Sequence, residues 1–214
     1  MSDKNRIERV IFCTMCQLTN EDFNYSIFID ECTVSMTKNG RFQWHRSGIA
    51  GETRSGLKPK YKHEASIHVL GGISRKGPTK LMIFSGKLNT AGFKELAREF
   101  IIPFVNDRYA EYHRLHLDNA SFHTKAAPWF VENNLNHFKK PARSPDLNVI
   151  ELVWNDLKYY IGAYVKPNTM QELIQGIIRF WNEIVTINYC NKKIDHLNKV
   201  IKTILTLKGK ASGL

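Results

Sequence analysis

The order of patterns along this 214-residue chain predicts a mixed α/β fold, a sheet covered by helices. Three observations predict it. Two apolar runs, Ile27-Phe28-Ile29 and Leu115-His116-Leu117, read as strands, and each closes on an aspartate, Asp30 and Asp118. Hairpin signals crowd the first half. From residue 90 onward, helical periodicities alternate with short strand-like runs.

Residues 5–18 carry Ile7, Val10, Ile11 and Met15 at helical spacing and close near Thr19-Asn20. Segment 25–36 reads as a strand, apolar on both faces through Ile27-Phe28-Ile29 as a central strand is. Period two sets Asp30 on the face of Phe28 and Cys32 and turns Glu31 to the other. Asn39-Gly40 signals a turn, and Phe42-Gln43-Trp44 a short returning strand. Residues 47–63 are rich in Gly, Lys and Arg without periodicity, which predicts a long exposed loop of the kind usually kept for function. Strands are expected at 64–73 and 80–85, joined by a turn containing Gly77-Pro78.

Thr90 caps the next expected helix, with Phe93, Leu96, Ala97, Phe100 and Ile101 on one face and Pro103 helping to end it. Residues 113–118 form a strand, a helix follows near 124–134 with Pro128 close to its start, and Leu135 to Phe138 form a last short strand. The helix from 149 to about 163 buries Ile150, Val153, Trp154, Leu157 and Ile161. Thr169 with Glu172 resembles a capping box opening a helix with Leu173, Ile177, Phe180, Trp181 and Ile184. A basic helix carrying Ile194, Leu197, Ile201 and Ile204 precedes a polar tail. The chain reads as one domain over 1–214, with an N-terminal helix and linker at 1–24 and C-terminal helices at 166–214.

Composition narrows the partners. With 43% hydrophobic and 24% charged residues the chain is globular rather than disordered. Its 31 basic and 20 acidic residues leave a net +11, which points to a polyanion, whether DNA, RNA or an anionic lipid surface. Cys13, Cys16, Cys32 and Cys190 make no disulfide scaffold, and the lone C-x-x-C lacks the second ligand pair of a zinc site. No run approaches the roughly 20 apolar residues of a membrane span, and the first residues make a poor signal peptide. An intracellular protein is expected, with no membrane partner.

The chemistry lies in three acids. Asp30 and Asp118 each end a strand, at the edge where open α/β sheets place their ligands. Glu151 opens a helix after Ser144-Pro145-Asp146-Leu147-Asn148. Carboxylates there would repel one another unless a cation stood between them. Magnesium suits such hard oxygen ligands, and a pair of ions about 3.5–4 Å apart can cut a phosphodiester. The first expectation is therefore a metal-dependent nuclease or strand-transfer enzyme. Each acid also has a plainer explanation: a strand-end turn for Asp30, an Asx turn for Asp118-Asn119, and a capping box between Asn148 and Glu151. His123 is placed to hydrogen-bond a ligand or orient a phosphate, and Lys158, with Asn155, to meet a phosphate from the polar face of the helix.

These residues resemble the catalytic domain of the mariner-type (Tc/mariner superfamily) DNA transposases. The resemblance runs through Phe28-Ile29-Asp30-Glu31, Gly71-Gly72-Ile73-Ser74 with Lys76-Gly77, Leu117-Asp118-Asn119 with His123-Thr124, and Ser144 to Glu151 with Trp154 and Lys158. It implies an RNase H-like (retroviral-integrase superfamily) fold, a mixed five-stranded sheet flanked by helices. It implies that Asp30, Asp118 and Glu151 bind two Mg²⁺ ions, for which Mn²⁺ substitutes, with Asn119 and His123 standing behind the ligands. The implied activity is cleavage at terminal inverted repeats, followed by joining of the 3′-OH ends to a target, commonly TA. The implied partners are double-stranded DNA and, as a candidate, a second copy of the chain, in the nucleus. Lys58, Lys60, Lys62, Arg75, Lys76, Lys139, Lys140, Arg143 and Lys158 are the expected DNA-backbone contacts. The loop 47–63 occupies the place of a family insertion that contacts a partner subunit or DNA.

The chain departs from the family pattern in three ways. Val149 stands where a proline is usual, Lys140 stands where an aromatic is frequent, and the interval from Asp118 to Glu151 is slightly short. The helix-turn-helix region that precedes this domain in the family is expected to be absent. The alternatives are a domesticated or relic domain that binds nucleic acid or protein without cutting, and another RNase H-like enzyme such as an RNA-hybrid nuclease or a junction resolvase.

Overall fold

Ile27, Phe28 and Ile29 are all buried, so the strand that holds them needs cover on both faces. The computed structural model, which describes residues 1–36, 65–86, 88–109, 111–118 and 120–213, provides it. Strand β1 (Ser26–Ser35) is central in the sheet, with β2 (Ser66–Ser74) antiparallel on one side and β5 (Arg114–His116) parallel on the other. Strand β6 (His137–Phe138) runs parallel to β5 at one edge. At the other edge two short pieces, β3 (Gly77–Pro78) and β4 (Met82–Phe84), both pair antiparallel with β2. They are one strand position interrupted near Thr79, whose N–H reaches the Gly72 carbonyl and whose hydroxyl accepts from the Gly72 N–H. The sheet thus has the five positions expected of it, in the order β3-β2-β1-β5-β6 with β4 beside β3.

Alternation along β1 divides the core. Phe28, Cys32 and Val34 pack with helices α5 (Ile150–Tyr160), α6 (Met170–Arg179) and α7 (Ile187–Thr206). Ile27 and Ile29 pack with α2 (Thr90–Arg108) and with the pair α3 (Ser121–Lys125) and α4 (Ala127–Glu132). Helices α5 and α6 each pass into a wider π-helical turn, Ile161–Val165 and Phe180–Ile184. Gly71 lies opposite Asp30, and a β-carbon there would meet the Trp181 ring at 2.9 Å, so this strand position admits only glycine without a shift.

Several expectations change on contact with the fold. Strand β1 continues five residues past Asp30, so that aspartate is mid-strand; it lies at a carboxyl edge only relative to β5, which stops at His116. Helix α2 is capped by the Asn89 side chain on Gly92 N–H rather than by Thr90, and it runs through Pro103 to Arg108. Buried Phe100, Ile101 and Val105 anchor it on both sides of the proline, which outweighs one missing hydrogen bond. The helix expected near 124–134 is two, with Pro128 in the first turn of the second, where its missing N–H costs nothing. The Thr169 cap holds, although Glu172 reaches back to the N–H of Asn168 rather than of Thr169.

Helix α1 (Asp3–Leu18) presents the largest difference. Its apolar positions Ile7, Ile11 and Met15 are exposed, and the residues it buries are Arg9 and Cys13. Arg9 makes two bonds of 2.7 Å to the Asp146 carboxylate and donates to the carbonyls of Gly209 and Lys210. That pairing, together with Cys13 in the core and Phe12 and Cys16 packed against it, marks the face that turns inward. The turn expected at 39–40, the strand at 42–44 and the loop at 47–63 lie outside the described residues. The four cysteines are free thiols, and among the described residues no helix is long and apolar enough to cross a membrane.

Candidate active site

Asp30 is buried and both of its oxygens are held: Oδ1 accepts from the N–H of Glu31 at 2.8 Å and Oδ2 from the Asn148 side-chain amide at 2.7 Å. Burial, with Glu31, Glu151 and Asp118 adding negative charge, raises its pKa to about 7. The side chain of Asn148 is spent across the molecule on Asp30 and does not cap α5, whose first turn receives no side-chain cap. The capping-box explanation of Glu151 therefore fails. Its carboxylate makes no hydrogen bond among the described residues and instead lines a groove of about 480 Å³ with Arg143, Asn148, Asn155 and His196.

Asp118 lies two residues past the end of β5. Its Oδ1 accepts both the Ala120 N–H at 2.9 Å and the His123 ring at 2.6 Å, which leaves Oδ2 without a hydrogen bond among the described residues. The hydrogen bond from His123 leads the causes that hold its pKa below the usual carboxylate range. His123 is fully buried at the start of α3, edge-on to the Phe93 ring, with its other nitrogen 3.3 Å from Glu31. Burial opposes its charged form, but Asp118 and Glu31 outweigh that and raise its pKa to about 9. Glu31, on the opposite sheet face from Asp30, thus shares an imidazolium with Asp118. Nothing in the sequence reading assigned it this place, although its alternation with Asp30 was legible.

Lys140 follows β6 at the same remove as Asp118 follows β5, and it is only 6% exposed. Burial lowers its pKa to about 8 against the opposing pull of Asp30, Asp118 and Glu151. It lies in the acidic site rather than on an outer DNA-facing surface. Of the other expected phosphate contacts, Lys139, Arg143 and Lys158 are exposed, and burial raises the pKa of the Cys32 thiol although Lys158 lies close enough to oppose it. Arg75 pairs with Asp195 at 2.6 Å, and Lys76 donates to the carbonyl of Arg108. Both lie on the β2–β3 turn, toward the start of β1 and away from the acids. Lys58, Lys60, Lys62 and Asn119 lie outside the described residues.

The three acids therefore share one electrostatic environment, assembled from β1, the β5 exit and the head of α5. The donor chemistry fits hard divalent cations, since each held Asp30 oxygen keeps a second lone pair and Asp118 and Glu151 keep free oxygens. The cage is not finished, however. Among the described residues no three His, Cys, Asp or Glu side chains form a group that could hold a metal ion.

Comparison with known proteins bears on the family and the fold. The transposase of the element Tc3 from Caenorhabditis elegans is 28% identical over 122 residues, covering 56% of this chain and 37% of that protein. The Tcb1 transposase of Caenorhabditis briggsae is 24% identical over 189 residues, covering 86% and 68%. Among solved structures, the Mos1 mariner paired-end complex with Mn superposes with a TM-score of 0.81 at 13% identity, over 98% of this chain and 64% of that one. The isolated catalytic domain of Mos1 transposase gives 0.71 at 12% identity, over 98% and 96%. The chain thus spans between about a third and two thirds of those longer relatives and nearly all of the Mos1 catalytic domain, whose RNase H-like fold it shares. The family profile described as DDE superfamily endonuclease matches residues 26–174, a span that contains Asp30, Asp118 and Glu151, and the chain belongs to that family, related to the Tc1/mariner transposases.

Proposed function

We propose that this chain is the catalytic part of a metal-dependent DNA transposase, cutting phosphodiesters at transposon ends and joining the freed 3′-OH to a target. The observation that supports the reading is that β1, the β5 exit and the head of α5 bring Asp30, Glu151 and Asp118 within each other's field, where burial first, and then Glu31, Glu151 and Asp118, raise the Asp30 pKa to about 7. Such a group of acids is costly for the fold and useful chiefly to a cation. Bound divalent ions, Mg²⁺ or Mn²⁺, would activate water and steady the leaving 3′ oxygen. The remaining roles belong to the chain itself. His123, with its pKa near 9, stays protonated at neutral pH and turns Asp118 so that one oxygen is left free. Asn148 and the Glu31 N–H fix the orientation of the Asp30 carboxylate. Lys139 and Arg143, exposed on the segment leading to α5, would meet the phosphate backbone with salt-sensitive, largely sequence-independent affinity. The paired-end complex of Mos1 transposase with a transposon end supports transposon DNA as the partner; a second copy of the chain and a place in the nucleus belong to the proposal.

The test is a Mg²⁺- or Mn²⁺-dependent nicking assay on duplex DNA with Asp118→Asn as control. The substitution removes a ligand charge and no basic residue, so cleavage should vanish while DNA binding persists. Equal nicking by both proteins would sink the assignment. Lys140 supports a second reading, in which the domain binds DNA without cutting, because a lysine already stands among the acids. Intact DNA binding by the parent chain with no nicking in either metal would favour it.

A further inference from the structure

Lys140 is not where a DNA-binding lysine belongs. Strands β5 and β6 are parallel neighbours, with Leu115 opposite His137 and His116 opposite Phe138, so Asp118 and Lys140 leave the sheet at the same edge, each two residues past its strand. At 6% exposure the lysine has little access to bulk water, so its charge falls largely to the protein to answer. The negative charges acting on it are Asp30, Asp118 and Glu151, each from a different element. It pairs with none of them: among the described residues no ion pair or hydrogen bond ties its ammonium to a single carboxylate. Meanwhile the Asp30 oxygens are answered by Asn148 and the Glu31 N–H, and Asp118 Oδ1 by His123 and Ala120. The lysine is left in the shared field of all three acids rather than in a bridge to one.

We infer that Lys140 is a built-in counter-ion of the carboxylate site: it balances the charge of Asp30, Asp118 and Glu151 while no divalent cation is bound, and it opposes the entry of one. The inference rests on the reading of these acids as a metal site. It makes Lys140 a positioning residue that sets metal affinity, and it gives a physical reason why the acids are near one another without closing into a finished cage. A positive charge fixed beside the ligands repels an incoming dication, so removing it should strengthen metal uptake. A lysine with a purely structural role would have the opposite signature, since its loss would loosen the site and weaken binding.

Isothermal titration calorimetry of Mn²⁺ into the full chain separates the two. Lys140→Met, similar in length and uncharged, should tighten Mn²⁺ binding about tenfold or more, by the Coulomb argument. Lys140→Gln gives a second neutral variant should the methionine fold poorly, and Lys140→Arg should stay close to the parent. Unchanged or weaker Mn²⁺ binding in the neutral variants, with binding by the parent that Asp118→Asn removes, overturns the counter-ion role and leaves the metal site standing. Folded parent and variants that all take up no Mn²⁺ overturn the metal-site reading, and the inference with it.

Discussion

Arg9 and Lys140 are both buried cations, and the molecule treats them in opposite ways. Arg9 is fully buried with all three of its side-chain nitrogens engaged, Nη1 and Nη2 by the Asp146 carboxylate at 2.7 Å, and Nε and Nη2 by the carbonyls of Gly209 and Lys210. Asp146 in turn accepts the N–H of Ser212, so one carboxylate ties the first helix and the chain's end to the segment that leads into α5. Lys140 faces three carboxylates and, among the described residues, pairs with none. The difference is one of saturation. A planar guanidinium matched by a fork of oxygens holds a structure in place, whereas an ammonium shared among several acids leaves their oxygens open to another cation. The first region is a latch and the second the proposed site.

The comparison can be broken at the latch first, where the effect should be largest. Arg9→Met leaves Asp146 charged and half-buried with its main partner gone, and the loss should reach about 3–5 kcal/mol, as for other broken buried pairs. Urea unfolding measures it. A cost below about 1 kcal/mol would mean that the pair does not orient α1. Mn²⁺ affinity should be unaffected by this change, which separates it from Lys140→Met. Acid provides a second and graded way in. Burial raises the pKa of Asp146, but the bonds from Arg9 and Ser212 outweigh it and hold the folded-state value below the ordinary 3.8. The unfolded chain therefore binds the proton more readily, so this contribution to stability is complete above pH 3.8 and is lost as the pH falls through the folded value. An Asp146→Asn variant should show a flatter stability profile across that acid range, and a profile parallel to the parent's would remove Asp146 from the account.

The smallest effect belongs to the boundary between the two regions. Asn148 donates to Asp30 from the same short segment that carries Asp146. Asn148→Ala should cost about 1–2 kcal/mol of stability, the net worth of a buried hydrogen bond with a partner left unanswered. It should also reduce nicking more than it reduces DNA binding, because the Asp30 carboxylate is then free to turn. Losses of equal size in both would reassign Asn148 to the stability of the fold alone.

How much of this was legible in the sequence depended on the range of the force involved. The central strand showed itself through three consecutive apolar residues, and helices α5, α6 and α7 through buried residues at helical spacing, because burial writes its period directly into the chain. The inward face of α1 was misread, since Ile7, Ile11 and Met15 look like a core stripe and the partners that hold Arg9 inward, Asp146 and the carbonyls of Gly209 and Lys210, are distant in sequence. Pro103 read as a helix end because local rules cannot weigh the packing of Phe100 and Val105 on either side of it. Asn148 read as a cap because its alternative partner, Asp30, lies far back along the chain. Lys140 read as a surface contact because its charge suggests exposure, and nothing nearby in sequence announces the three acids around it.

By itself the sequence determined the layered α/β architecture and the family and singled out the three acids, since hydrophobic period and short motifs are local and survive without coordinates. Tertiary structure alone decided the partners of those groups: His123 shared by Asp118 and Glu31, Asn148 drawn to Asp30, Arg9 locked on Asp146, and Lys140 placed among carboxylates. Charge and hydrogen bonding act across space, between segments such as those of Arg9 and Asp146, 137 residues apart, and the chain's order carries no record of which of them will meet.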